Sequence, residues 1–363
     1  MSKIESLIFY IVIFSVSTFF FSFYKYKNAL LRRGGLIMAI VLPAIVAGAR
    51  YHVGTDWDNY NYNFTLIRSL TFDGILQHKL LSNSEIGFKI VVKILSFIGN
   101  NELIFFFFAL MTIVFVADTL LKEYVEYDIT ISYFMFLFVY FSNSFNIMRQ
   151  TLAVAIVFWG MRKIYNGKFI EYFIIIICAT MIHFTAIVAI PIYFLWNKRK
   201  SRTIKNKFFI PFFCVVGVMV LFWRQILGVV QKLGSPFIAK YLIYLENNNA
   251  RNRDFYVKVL FFLSIFLLYN VTKIKDEKMK LFLQMGSINL LIATTGFYIT
   301  FFKRLGLYYE MPAIILVGAI NKLFESKSRV LINVFLEFLI ILYFILVFHV
   351  IGDSQIIPYQ IRL

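Results

Sequence analysis

Eleven consecutive residues, Arg50-Tyr-His-Val-Gly-Thr-Asp56-Trp-Asp58-Asn-Tyr60, carry a guanidinium, an imidazole, two carboxylates and three aromatic rings. Rings beside carboxylates suit a sugar: Trp57 and Tyr60 would stack on C–H faces, Asp56 and Asp58 would accept hydroxyl protons, and Gly54 permits a sharp turn. An interfacial aromatic belt is the plainer reading, but a belt needs no arginine and aspartate at this density. Other awkward polar residues interrupt apolar stretches: Glu85 in EIGF, Arg149 and Gln150 in NIMRQ, His183 in MIHFTA, and Lys303, Arg304 and Tyr308 in KRLGLYY. Arginines from separate segments make a bidentate clamp for phosphate or diphosphate oxygens, so Arg50, Arg149 and Arg304, with Lys303, are read as diphosphate-binding. A carboxylate or imidazole could take the proton of an attacking hydroxyl, and Asp56, Asp58, Glu85 and His183 are the groups of that kind. Trp57, Asp58, Tyr60, Glu85, Gln150 and Tyr308 form the candidate glycan and acceptor set. The acidic residues of this face are few and scattered, so no metal site is expected, and guanidinium groups would neutralise a leaving diphosphate.

These residues must be delivered by helices in lipid. Of the 363 residues, 60% are hydrophobic and 15% charged, against roughly 45–50% and about 25% in soluble domains. The expected fold is an all-α polytopic integral membrane protein of about 11–13 transmembrane helices, a single transmembrane domain over 1–363 with no separate soluble domain. Apolar spans read at about 7–23, 35–49, 102–120, 130–146, 149–165, 169–182, 184–196, 208–224, 255–271, 280–300, 305–321 and 330–350. Segment 86–98 is short, and spanning, re-entrant and interfacial readings of it stay open.

The formal charge is +18, yet the cations form no nucleic-acid-facing run. More than half of the 37 lysines and arginines fall in short loops that the positive-inside rule makes cytoplasmic, notably 25–33, 197–207 and 273–280. The N-terminus then faces outward, as does the C-terminus if 86–98 is re-entrant or interfacial, and the long loops 50–85 and 225–254 lie on the outer side. Every candidate residue above reaches that same outer face, where orientation requires no positive charge and ionisable groups count as functional candidates. Cys178 and Cys214 sit inside apolar runs, which leaves no disulfide framework.

The run RYHVGTDWDNY after the second span, EIGF after the long loop, NIMRQ, the HFTA hairpin and KRLGLYY resemble the EpsG-like branch of Wzy-type O-antigen and exopolysaccharide polymerases. The resemblance covers about residues 1–325, and its most specific piece is Arg50, Gly54, Thr55, Asp56 and Tyr60. It implies a metal-independent, GT-C-like glycosyltransferase of the bacterial inner membrane, its active site facing the periplasm or exterior. Such an enzyme moves a growing O-antigen, capsule or exopolysaccharide chain from undecaprenyl diphosphate onto the non-reducing end of a lipid-linked repeat unit. No cofactor is implied. The implied partners are the lipid-linked oligosaccharide, membrane lipids, a flippase and a chain-length regulator. A single displacement at the anomeric carbon would invert the linkage, and Arg251 and Asp254 of the 225–254 loop are candidate lid residues.

Three other functions compete. A flippase or exporter of the same lipid-linked glycan would carry an internal repeat and midplane charges, whereas these halves differ and the charges gather at one face. A membrane acyltransferase would place its key histidine on the cytoplasmic side, and His183 reads as outer. An O-antigen ligase shares nearly the same chemistry with another acceptor, and sequence separates it poorly from a polymerase.

Overall fold

The computed structural model describes residues 1–82, 84–197, 202–203, 276–298 and 300–361. The expected spans at 208–224 and 255–271, the 225–254 loop with Arg251 and Asp254, and most of the basic 197–207 run lie outside the described residues. What is described is helical, apart from a two-residue antiparallel pairing of Trp196–Asn197 with Arg202–Thr203. Among the described residues, four helices are long and apolar enough to cross a bilayer, Lys3–Lys25, Ala29–Ala49, Asn101–Glu123 and Ser326–Val350. Shorter apolar helices run over Ile129–Phe145, Phe169–Ile182 and Phe184–Leu195. This is a multi-pass, all-α membrane protein. Its chain forms two compact units, the first made of Met1–Arg162, Phe173–Ile187 and Ile314–Leu363, the second of Lys163–Tyr172 and Val188–Ala313.

The first unit is built on α1 (Lys3–Phe21), α2 (Ala29–Ala49) and α6 (Asn101–Glu123). Helix α1 buries Ser6, Tyr10, Phe14, Ser17, Thr18 and Phe21, a stripe at helical spacing. Helix α2 buries mostly small residues, Gly35, Ala39, Ala44, Ala47 and Gly48, so backbones approach closely as in other helix pairs in lipid. A Cβ on Gly48 would stand 2.8 Å from the Phe106 Cβ of α6. Pro43 lies inside α2 and has no N–H for the Ala39 carbonyl four residues back. Two hydroxyls satisfy that carbonyl instead, Ser17 at 2.6 Å and Tyr133 at 2.8 Å. Removing both, as Ser17→Ala with Tyr133→Phe, is expected to cost about 1–3 kcal/mol for the orphaned acceptor. Adding Pro43→Ala, which restores the missing N–H, should recover most of the loss in a thermal melt in detergent.

One end of this unit is clasped by Asp128, which caps α7 (Ile129–Met135) by accepting from the Thr130 and Ile131 N–H groups. Its Oδ2 also accepts from Asn321 at 3.2 Å and Asn333 at 2.9 Å. Asn333 belongs to α13 (Arg329–Phe344), so three distant segments meet beside Lys322 and Arg329. Beyond α7 the chain runs through a π turn, Phe136–Tyr140, and a 3-10 turn, Phe141–Phe145, to the opposite end, where α8 (Met148–Tyr165) begins.

Segment 50–85, read from sequence as a loop, is folded. It forms α3 (Trp57–Ser69) and α4 (Phe72–Gln77), since Trp57, Tyr60, Phe64 and Ile67 repeat at helical spacing and are buried. Helix α5 (Ile86–Ser96) has 11 residues, about 16 Å of helix against a hydrocarbon core of roughly 30 Å, so 86–98 does not span alone. Its Lys93 donates to the Ile67 and Arg68 carbonyls and caps the end of α3. Helix α9 (Phe169–Ile182) and the 3-10 segment Phe184–Leu195 follow α8.

In the second unit, α10 (Glu277–Tyr298) packs against α11 (Thr300–Glu310). A Cβ on Gly306 would overlap the Asn289 side-chain oxygen. The single span expected over 305–321 is instead two helices, α11 and α12 (Ala313–Ala319). Pro312 breaks it by removing a donor and disfavouring helix at the residue before it.

Candidate functional site

Arg50 ends α2, and the next five residues are pinned by the chain's last described segment. Arg50 bridges Ile361, the Tyr51 N–H donates to the Gln360 carbonyl at 2.9 Å, and the Gly54 and Thr55 N–H groups donate to Gln355 and Ser354 at 3.1 and 3.3 Å. The tail is held in turn by Tyr359, whose N–H donates to Ser6 and whose hydroxyl donates to the Val46 carbonyl near the end of α2. Gly54 has φ +93, and a Cβ there would overlap the Phe145 carbonyl oxygen. That contact sets the turn against Asn146, whose Oδ1 accepts from both the Thr55 hydroxyl and the Asp56 N–H.

The turn and α3 enclose the Arg50 guanidinium, which is only 2% exposed. It lies between the rings of Phe105 at 4.6 Å and Phe145 at 4.9 Å, and among the described residues its Nε and Nη2 have no hydrogen-bond partner. Burial lowers its pKa to about 10, opposed by the nearby Tyr10, Tyr60 and Tyr359 hydroxyls, so it stays charged at neutral pH. Trp57 stacks on Phe105 and donates its indole N–H to the Arg50 carbonyl at 3.1 Å.

Glu85 joins three elements. Its Oε2 sits 2.5 Å from Nη1 of Arg149 on α8, and its Oε1 accepts from the Phe184 N–H at 3.1 Å and lies 3.3 Å from Nδ1 of His183. The carboxylate thus caps the start of the segment after α9 while neutralising a guanidinium. Close approach of α5 to the end of α9 makes this reach possible: a Cβ on Gly87 would stand 2.8 Å from the Met181 carbonyl oxygen. Burial pushes the Glu85 carboxyl up, but the His183 imidazole beside it, Arg149 and the Phe184 N–H outweigh it and hold the pKa at about 2. The Arg149 guanidinium lies over Phe88 at 4.9 Å and Tyr60 at 5.8 Å. Tyr60 therefore stands between the two guanidinium groups, touching one and biasing the charge of the other.

The EpsG family model matches residues 35–361, nearly the whole chain. This chain belongs to the EpsG family. The family is associated with glycosyl transfer in polysaccharide biosynthesis. No curated protein and no solved structure matches the chain.

In this EpsG-family chain, Arg50, Asp56, Glu85, Arg149 and His183 come together within the first unit. Trp57 and Tyr60, expected to stack on sugar rings, pack inward at 5% and 7% exposure; Tyr60 lies under the Arg149 guanidinium and Trp57 donates to the Arg50 carbonyl. Asp58 faces outward, 2.7 Å from His52, and Gln150 is buried. Arg304 and Tyr308 lie on α11 in the second unit, Arg304 half-buried and Tyr308 buried. Lys303 lies in the same helix, its side chain outside the described ones.

Three contributors escaped the sequence reading. Asn146 and the tail around 354–361 carry no local signal, because their contacts are made across 90 residues and more. Lys89 did carry one: it follows Glu85 by four positions, one helical turn, in an otherwise apolar stretch.

Proposed function

We propose that this chain is a polysaccharide polymerase that moves a growing glycan from undecaprenyl diphosphate onto the non-reducing-end hydroxyl of a lipid-linked repeat unit. The reaction would proceed at the outer face of the bacterial cytoplasmic membrane, with inversion, without a metal or cofactor, on a GT-C-like scaffold. The observation that carries this reading is the Glu85 carboxylate tying Arg149 and His183 together beside Arg50 and the Asp56 turn, in a chain of the EpsG family. With Nδ1 of His183 turned to Glu85, Nε2 is the nitrogen on the far side of the ring, in position to take the acceptor's proton. The acceptor oxygen then bonds the anomeric carbon as the bond to the diphosphate oxygen breaks, and the departing charge meets guanidinium groups. In the proposal Arg50 and Arg149 serve that purpose. Glu85 stabilises the imidazolium, so this arrangement favours His183 over Asp56 as base. A flippase supplies the units and a chain-length regulator sets when transfer stops.

In cells that make the polymer, His183→Ala is expected to abolish long chains and to leave single lipid-linked units exposed at the outer face. Units retained at the cytoplasmic face, detected by enzymatic labelling of intact spheroplasts, would overturn the polymerase reading in favour of lipid export.

A further inference from the structure

Lys89 lies on α5 one turn beyond Glu85 and is only 6% exposed. Among the described residues its ammonium donates no hydrogen bond and lies within ion-pair distance of no carboxylate, although burial of such a charge is costly unless something compensates it. The nearest candidate, Glu85, is already taken by Arg149, His183 and the Phe184 N–H. At this end of the first unit three buried or nearly buried cations, Arg50, Lys89 and Arg149, stand with two carboxylates, Asp56 and the engaged Glu85. The other lysine of the same helix shows what a structural role looks like: Lys93 is equally buried, but caps α3 through two carbonyls.

Resting on the polymerase reading, we infer that Lys89 is a specificity-determining residue whose ammonium receives an anionic oxygen of the substrate's diphosphate, beside Arg149. Charge favours an anionic diphosphate, since the cations of this cluster outnumber its carboxylates and a diphosphate presents several oxygens to them. A lysine covered along its length and kept without a structural partner is a stability cost retained for binding. The bland alternative is an ammonium that merely reaches any lipid phosphate.

The test uses the full-length protein in nanodiscs and measures binding of undecaprenyl diphosphate, undecaprenol and phosphatidylglycerol, without turnover. Lys89→Met is expected to weaken undecaprenyl diphosphate on the order of tenfold or more, the loss of one charge-assisted contact, with undecaprenol and phosphatidylglycerol unchanged and Lys89→Arg close to wild type. The ligand-free Lys89→Met protein should melt higher, because a desolvated charge has gone. Wild-type affinity for undecaprenyl diphosphate, an equal loss for phosphatidylglycerol, or a lower melting temperature in Lys89→Met would each overturn the inference. Because no glycan transfer is read, a failure here leaves the polymerase reading standing, and a failure to polymerise leaves this binding result standing.

Discussion

Glu85→Gln is expected to lower polymer formation by at least about 10²-fold, the scale on which an oriented acid–base group contributes. The carboxylate holds three things at once: the Arg149 guanidinium, the Nδ1 side of His183 and the N–H of Phe184. An amide of the same shape keeps some hydrogen bonding but cannot neutralise Arg149, and leaving one member of a buried pair alone costs about 3–5 kcal/mol. Melting temperature should therefore fall with activity, and Glu85→Asp, shorter but charged, should fall between the two. The pH dependence follows from a carboxyl held at about 2. A depressed value means the pair's contribution is in place above the ordinary carboxylate range and is lost only as the pH falls toward about 2. The deficit of Glu85→Gln should accordingly persist down to pH 5. A deficit that disappears toward pH 5 would show that Glu85 is already protonated there, against this geometry.

Gly54→Ala should be nearly as damaging, although it adds one methyl group. The residue has φ +93, where an L side chain is strained, and its Cβ would overlap the Phe145 carbonyl oxygen. Strain alone costs about 1–2 kcal/mol, and relief of the overlap must move either the turn or Phe145. Phe145 carries one face of the Arg50 guanidinium, and the neighbouring Asn146 holds Thr55 and the Asp56 N–H. Arg50 and Asp56 are thus displaced together, and transfer activity should drop at least about tenfold with a loss of at least about 2 kcal/mol in stability. Gly34→Ala is the control. Nothing lies within 4 Å of that Cβ and its backbone is helical, so stability should hold or rise slightly. Equal behaviour of the two variants would remove the turn from the account.

Much of this site was legible in the sequence because polar residues in apolar surroundings stand out. Arg50, Arg149, Glu85 and His183 were visible as exceptions to lipid-compatible composition, and loop charges placed them on one face. Their hierarchy was not visible. Asp56 looked central because it sits among aromatic and charged neighbours, whereas Glu85, alone in its segment, proves to be the junction. Its partners lie 64 and about 100 residues away, and Gly87 is what lets α5 come close enough to reach them. The folding of 50–85 was hidden for a different reason: average polarity excluded a span, and the helical repeat of Trp57, Tyr60, Phe64 and Ile67 shows only at residue resolution. Aromatic rings misled in the same way. Trp57 and Tyr60 resembled sugar platforms, but both pack inward, where a guanidinium lies against the face of one ring and the indole N–H of the other caps a carbonyl. The proline at 312 was legible as a helix breaker, yet hydropathy alone joined the two helices that it separates.

The claim that this chain polymerises lipid-linked glycans is tested most directly with purified protein and undecaprenyl diphosphate-linked repeat units, supplied with chelator and no nucleotide sugar, and a gel for glycan ladders. The account predicts a ladder with the wild-type protein, reduced to single units with Glu85→Gln. No ladder from an authentic repeat unit, together with movement of that lipid across the bilayer of reconstituted vesicles, would contradict it.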